Sequence, residues 1–87
     1  MLNIIQKLVD KQAPLRVFLK NNTIVDGSLI HVDNNFNLTL SQAKLSLAER
    51  VTNYDRLFIR GSSLKYFEYK ESDFNPKIIE TTWKQLV

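Results

Sequence analysis

The spacing of apolar residues changes twice along this chain, and this is the feature that most limits how it can fold. Between Leu15 and Tyr69 apolar and polar side chains alternate with period two in short runs, which is typical of half-buried β-strands. The segments on either side have helical spacing instead. Polar or glycine-containing breaks separate the runs, at residues 21–22, 33–35 and 61–63. The sequence therefore predicts a mainly β domain with a helix at each end.

Five antiparallel strands are expected between the two helices. They are predicted to begin at Leu15, Thr23, Phe36, Arg56 and Leu64, with residues 48–55 as a short connecting loop. Gly27 lies in the middle of the second strand, where a glycine usually marks a bulge or a sharp bend, so its predicted role is structural. Five short, strongly bent strands predict a small barrel, because bending and closure limit the exposed edges of a sheet.

The helices set the expected domain boundaries. Residues 2–10 are predicted to be helical because Leu2, Ile5 and Leu8 recur on one face. Asn75-Pro76 is a favourable N-cap and first-turn pair, so the end of the chain is predicted to be helical from about residue 76. The predicted organisation is one domain over residues 1–70 and a C-terminal extension over residues 71–87.

Composition and motif content exclude several classes of function. The chain has 87 residues, a net charge of +3 and no cysteine, which excludes disulfides and thiolate metal sites. No apolar run approaches the length of about 20 residues that crosses a bilayer, and the N-terminal segment is too charged for a secretory signal. His31 is the only histidine, and the carboxylates are scattered. We therefore predict no catalytic residue, no metal, no cofactor, no small-molecule substrate and no membrane association: the chain is not expected to be an enzyme.

Two segments together carry a more specific signal. In LRVFLKNNTIVDGSLIHVDNNFNLTL, Asp33 and Asn37 stand four positions apart after an alternating strand, and in LFIRGSSLKYFEY a strand ends in Ile59-Arg60-Gly61. This pair of motifs, in this order, resembles the Sm/Lsm family, and the resemblance covers residues 1 to about 69. It implies a strongly bent, five-stranded, SH3-like barrel with an N-terminal helix. It also implies a ring in which strand four of one subunit pairs with strand five of the next.

The resemblance implies that single-stranded U-rich RNA is bound in the hole of that ring. By position, Asn37 would hydrogen-bond a base edge or the ribose, Asn35 would pack on the base, and Arg60 would stack on its other face. Gly61 and Ser62 would bring backbone and hydroxyl groups to the base and the phosphate. Stacking and base-edge hydrogen bonds are the general means by which proteins recognise single-stranded RNA.

Two positions in the first motif have special interpretations. Asp33 is expected to brace the loop by accepting hydrogen bonds from backbone N–H groups or from Arg60. The place of Asn35 is often held by an aromatic residue or a histidine in the family. Because an amide stacks less well than a ring, this chain is expected to contribute less to RNA affinity than its neighbours in a ring.

Within the family, Ile-Arg-Gly indicates the archaeal and eukaryotic branch. Lys-Tyr-Phe after the break and the C-terminal extension resemble D-type core Sm proteins, and the start of the chain and Phe-Ile-Arg-Gly-Ser resemble their Lsm counterpart. The expected function is that of a non-catalytic subunit of a hetero-heptameric ring, with paralogous subunits on both sides, on spliceosomal small nuclear RNA in pre-mRNA splicing. The expected location is the nucleus, and assembly or function in the cytoplasm is also compatible with this role.

Three alternatives stay open from the sequence. They are an Lsm ring on the U-rich 3′ end of U6-type RNA or of decaying mRNA, an archaeal homo-heptamer, and a small barrel that binds peptides. The sequence does not distinguish splicing from decay or hetero-assembly from homo-assembly. It also leaves open which paralogue the chain is, which RNA it binds and what the C-terminal helix does.

Overall fold

The computed structural model describes residues 3–70 and 83–85, and these form a helix, a short 3₁₀ turn and one six-stranded antiparallel sheet. The order of the strands in the sheet is β4-β3-β2-β1-β5-β6. This architecture confirms the predicted mainly β fold with its N-terminal helix. The bounds of the elements are α1 (Asn3–Asp10), β1 (Pro14–Leu19), β2 (Ile24–Val32), β3 (Leu38–Leu47), β4 (Arg50–Ile59), the turn Gly61–Ser63, β5 (Leu64–Lys70) and β6 (Trp83–Gln85).

The core lies between the inner face of the bent sheet and α1. Ile5 and Leu8 of the helix are fully buried, and the end of the helix is tied to the sheet because the backbone N–H of Leu29 donates to the Ala13 carbonyl at 2.9 Å. No helix among the described residues is long and apolar enough to span a membrane. The other buried apolar residues are Ala13, between α1 and β1, and these residues of the strands: Leu15, Val17, Val25, Leu29, Val32, Leu38, Leu40, Ala43, Ile59 and Phe67.

The pairing of β2 with β3 changes register at Gly27. The register between these strands shifts between Asp26 and Ser28, and Gln42 on β3 has a φ angle of 50°. A Cβ atom at Gly27 would lie 3.1 Å from the Leu40 Cβ and 3.2 Å from the Ser41 carbonyl oxygen. The absence of a side chain at Gly27 therefore lets the backbones of β2 and β3 approach closely at this register shift. No ladder among the described strands joins β4 to β5 or β6, so these strands form an open sheet and not a closed barrel.

Residues 48–55 are not the connecting loop that the sequence predicts. β4 begins at Arg50, and the two residues Ala48 and Glu49 connect it to β3. The register between the strands is unbroken from the pair Leu47–Arg50 to the pair Leu38–Ile59. The prediction failed because the first part of β4 is exposed on both faces, so burial imposes no period-two pattern on its sequence.

The described part of the C-terminal extension is a strand and not the predicted helix. β6 pairs antiparallel with the end of β5, where Lys84 lies opposite Tyr69. An extended segment can satisfy its backbone groups on the edge of an existing sheet, and aromatic residues such as Trp83 favour strands, so the apolar spacing alone was not decisive. The rest of the helix predicted from about residue 76 lies in 71–82 and 86–87, outside the described residues, as does Leu2.

Candidate nucleic-acid interface

The loop between β2 and β3 is organised around the carboxylate of Asp33. Its Oδ1 accepts hydrogen bonds from the backbone N–H groups of Asn35, at 2.8 Å, and Asn37, at 3.0 Å. Its Oδ2 accepts a third hydrogen bond from the side-chain Nδ2 of Asn37 at 2.8 Å. These donors all belong to the loop, and Arg60 is not among the hydrogen-bond or ion-pair partners found for Asp33 in the described part of the chain. One carboxylate therefore fixes the shape of the loop.

The same hydrogen bonds lower the pKa of Asp33 below its ordinary value. The largest cause is the side-chain hydrogen bond from Asn37, followed by the backbone N–H of Asn37. Partial desolvation raises the pKa against these effects, while the backbone N–H of Asn35 and the charge of His31 lower it further. Asp33 is consequently charged at neutral pH, and both of its carboxylate oxygens can accept the hydrogen bonds from Asn35 and Asn37.

Phe36 occupies an unusual backbone conformation in the middle of this loop. Its φ angle is 60°, in the left-handed region that non-glycine residues seldom adopt. The side chain is partly buried and packs against the core, and this packing holds the backbone in place. β3 therefore begins at Leu38 and not at Phe36 as predicted, although Phe36 does reach the core side. Sequence patterns do not predict a left-handed conformation at Phe36, because left-handed backbone is expected at Asn, Asp or Gly.

Gly61 brings the second motif against the loop. Its backbone N–H donates to Oδ1 of Asn37 at 2.7 Å. A Cβ atom at Gly61 would overlap the carbonyl oxygen of Asn35 and would lie 3.1 Å from the carbonyl oxygen of Phe36. The φ angle of Gly61 is not positive, so it is this close approach that requires glycine. The two motifs are thus joined by a chain of hydrogen bonds through Asp33, Asn37 and Gly61.

These contacts fix the orientation of the Asn37 amide. Oδ1 must face the Gly61 N–H group, and Nδ2 must face Asp33. A primary amide has two N–H donors and an oxygen with two lone pairs, so one donor and one acceptor site stay available beside these two hydrogen bonds. The edge of a uracil base presents a complementary N–H donor and carbonyl acceptors. The arrangement can therefore bind a nucleobase, whereas it contains no nucleophile or acid–base pair.

The other predicted RNA-binding residues lie on the surface around this network. The side chains of Asn35, Arg60 and Ser62 are all exposed. Arg60 directly follows β4, and its carbonyl accepts a hydrogen bond from the Ser63 N–H at 3.0 Å, which closes the 3₁₀ turn. Hydrogen bonds thus join Asp33, Asn35, Asn37 and Gly61, and Arg60 and Ser62 lie on the rim of this network. RNA contact stays a prediction for Asn35, Asn37, Arg60, Gly61 and Ser62.

The structure has an apolar groove beside Arg60 that the sequence analysis did not predict. Its volume is about 190 Å³, and Phe58 on its wall is 59% exposed. The available signal was the position of Phe58 next to the buried Ile59, because neighbouring strand residues face opposite sides. The groove is lined by Leu19, Leu45, Leu57, Phe58, Ile59, Arg60 and Ser63.

Within residues 3–70 and 83–85 no group of three acidic or histidine side chains could hold a metal.

Comparison with known proteins identifies relatives of the matched domain. A family model described as LSM domain matches residues 3–69. An SmAP (LSm) protein from Methanococcus vannielii is 26% identical, with a TM-score of 0.65, and the match covers 75% of this chain and 87% of that one. The Sm protein of Pyrococcus abyssii, solved in complex with a uridine heptamer, is 24% identical, with a TM-score of 0.67 and coverage of 75% and 90%.

A further structural likeness extends over a longer part of the chain. A chain of the NatC complex bound to CoA is 19% identical, with a TM-score of 0.74, and the match covers 90% of this chain and 97% of that one. At this identity the likeness shows the fold alone. No curated protein matches the sequence.

Proposed function

The chain belongs to the LSM-domain family, and from this premise we propose that it is a non-catalytic subunit that binds single-stranded U-rich RNA. The hydrogen-bond chain through Asp33, Asn37 and Gly61 carries the proposal, because it orients an amide whose remaining donor and acceptor suit a uracil edge. The exposed guanidinium group of Arg60 adjoins this network and is suited to stacking on a base. A relative with the same fold was solved with a uridine heptamer, which supports this class of ligand.

In its specific form, the proposal is a hetero-heptameric Sm-type ring on spliceosomal small nuclear RNA, acting in the nucleus and, during assembly, in the cytoplasm. Paralogous subunits would pair with the open edge of β4 and, after displacing β6, with the outer edge of β5. The same site would serve an Lsm ring at the U-rich 3′ end of U6-type RNA or of decaying mRNA. Asn35 would then be the weak stacking position, since its side chain is an exposed amide.

Substitution of both Asn37 and Arg60 tests the RNA site. The double variant Asn37→Ala, Arg60→Ala is expected to bind oligo-U RNA at least about tenfold more weakly, because base stacking alone contributes about 1–3 kcal/mol. Binding is measured by fluorescence anisotropy on assembled protein whose mass has been checked. The matched control is Gln6→Ala, Lys7→Ala, which removes an amide and a cationic side chain from the exposed face of α1, away from the strand edges. Equal affinities of the two double variants would contradict RNA contact at the site.

A subunit of a protein complex of the NatC kind is the second candidate, and two observations favour it. The likeness to the NatC chain covers 90% of this chain, so it extends past the matched domain into the C-terminal extension. β6 also lies on the edge of β5 that a ring neighbour would need. In this interpretation the chain is a non-catalytic protein-binding subunit, and the hydrogen bonds of Asp33 and Asn37 are structural.

Purification of the complex from the source organism distinguishes the candidates. A tagged full-length chain is isolated at native expression, and its partners are weighed by native mass spectrometry with and without ribonuclease. Several partners of similar small mass together with RNA would support the ring. An RNA-free complex with larger partner chains that binds CoA would support the second candidate and would count against the ring.

A further inference from the structure

The two sides of the sheet differ in how much edge is open. Among the described residues β4 pairs with β3 alone, so the backbone along its ten residues is open on the outer side. β5 pairs with β1 on one side and with β6 on the other, where β6 lies opposite Glu68–Lys70. The part of β5 without a described outer partner is 64–67. The sheet therefore has one complete open edge and one that is partly covered.

The open edge also carries exposed apolar surface. Large exposed apolar residues in the described part of the chain lie on β4 or at the adjoining end of β3: Leu47, Val51, Tyr54 and Phe58. A long edge strand with apolar side chains is a template for pairing with another chain. Without β6, β4 of one copy could extend the sheet of a second copy along β5, and the same contact would repeat head to tail.

We propose that β6 prevents this chain from pairing head to tail with copies of itself, because it occupies Glu68–Lys70 of the β5 edge and so shortens the edge left for β4 of a second copy to residues 64–67. The β4 edge is thereby left for a strand of a different protein chain. In a hetero-ring, a neighbour on the β5 side must displace β6, whereas in the second candidate β6 stays in place. Strand pairing at the edges of β4 and β5 does not depend on RNA binding.

The covalent connection gives β6 its advantage over a second copy. A tethered segment has an effective concentration at its site in about the millimolar range. A free copy at micromolar concentration has no such advantage and loses translational and rotational freedom when it binds. A ladder of only three residues can therefore keep Glu68–Lys70 of the β5 edge covered. A natural partner that displaces β6 needs additional contacts outside the strand ladder.

The oligomeric state of the purified chain is the first test. Native mass spectrometry of the full-length protein alone is expected to show a monomer across micromolar concentrations, and a homo-heptamer would overturn the proposal. Lys84→Pro removes a backbone N–H and restricts the backbone at the centre of β6. This variant is expected to self-associate, with masses of two or more copies that increase with concentration. A variant that stays monomeric would overturn the proposal, and Lys84→Ala, which keeps the N–H group, should remain monomeric.

A second set of variants tests which edge takes part. Val51→Lys and Tyr54→Lys, added to Lys84→Pro, place lysines on β4 at positions that are 54% and 40% exposed, where the fold tolerates them. They are expected to restore the monomer, because edge lysines disfavour strand pairing. Oligomers that persist would use another surface and would contradict the proposal. Because mass is measured without RNA, failure here is distinct from failure of the RNA-binding proposal.

Discussion

Gly61 and Asp33 hold the two motifs of the candidate site together by different physical means. Asp33 acts through charge and geometry, because its carboxylate collects three hydrogen bonds from the loop. Gly61 acts through the absence of a side chain, which lets its N–H group reach Asn37. The residue types at the site were predicted from the motifs, whereas the contact between Asn37 and Gly61 depends on how distant strands are placed and could not be predicted from local spacing.

Gly61→Ala is expected to lower the free energy of unfolding by about 1–3 kcal/mol, as overpacked sites generally do. The added methyl group would overlap the carbonyl of Asn35, which is rigid backbone and cannot move aside cheaply. Urea denaturation measures the effect. Ser62→Ala, at the exposed neighbouring position, is the control and should change stability by less than about 0.5 kcal/mol. Equal stability of the two variants would contradict the close approach.

Acid should loosen the loop through Asp33. Its pKa in the folded protein lies below the ordinary value of about 3.9, so the native state binds this proton less readily than the unfolded chain does. Its contribution to stability is therefore fully present above the unfolded pKa and is lost as the pH falls through the lower folded pKa. Urea denaturation at pH values from about 6 down to about 2 measures this. Asp33→Asn should be less stable near neutral pH, with a difference that shrinks below about pH 4, and a constant difference would contradict the assignment.

At the scale of elements, a strand was predictable where burial differs between its two faces. β1 and β5 have buried residues such as Val17 and Phe67 on one face, and their alternation was recognised. β4 was missed in 50–55, where both faces are exposed, and β6 was assigned to a helix because spacing alone cannot detect a neighbouring sheet edge. The sequence is thus informative about packing against the core and much less so about packing against an edge.

The turn between β3 and β4 offers a paired test of backbone strain. Ala48 has a φ angle of 54°, whereas Glu49 is outside the left-handed region. Ala48→Gly should raise the free energy of unfolding by about 0.5–1 kcal/mol, because relief of left-handed strain exceeds the entropy cost of glycine. Glu49→Gly has no strain to relieve and should be destabilising by a similar amount. Urea denaturation measures both, and a Glu49→Gly protein more stable than Ala48→Gly would contradict this turn geometry.

At the scale of the whole molecule, α1 completes a core that the open sheet cannot enclose alone. A domain of this size buries a modest fraction of its surface, so each fully buried side chain matters. The helix supplies Ile5 and Leu8, both 0% exposed, and the backbone N–H of Ala13 donates to the carbonyl of Leu8 at 2.9 Å. The helix and the first strand are therefore packed as one unit against the sheet.

Leu8→Ala is accordingly expected to cost about 2–5 kcal/mol, as for other buried leucines, which is a large share of the roughly 5–15 kcal/mol that stabilises a typical domain. Thermal and urea unfolding should both show the loss. Lys7→Ala is the matched control, since Lys7 is exposed on the same helix and its removal should change stability by less than about 0.5 kcal/mol. Similar stabilities of these variants would mean that the sheet is stable without α1.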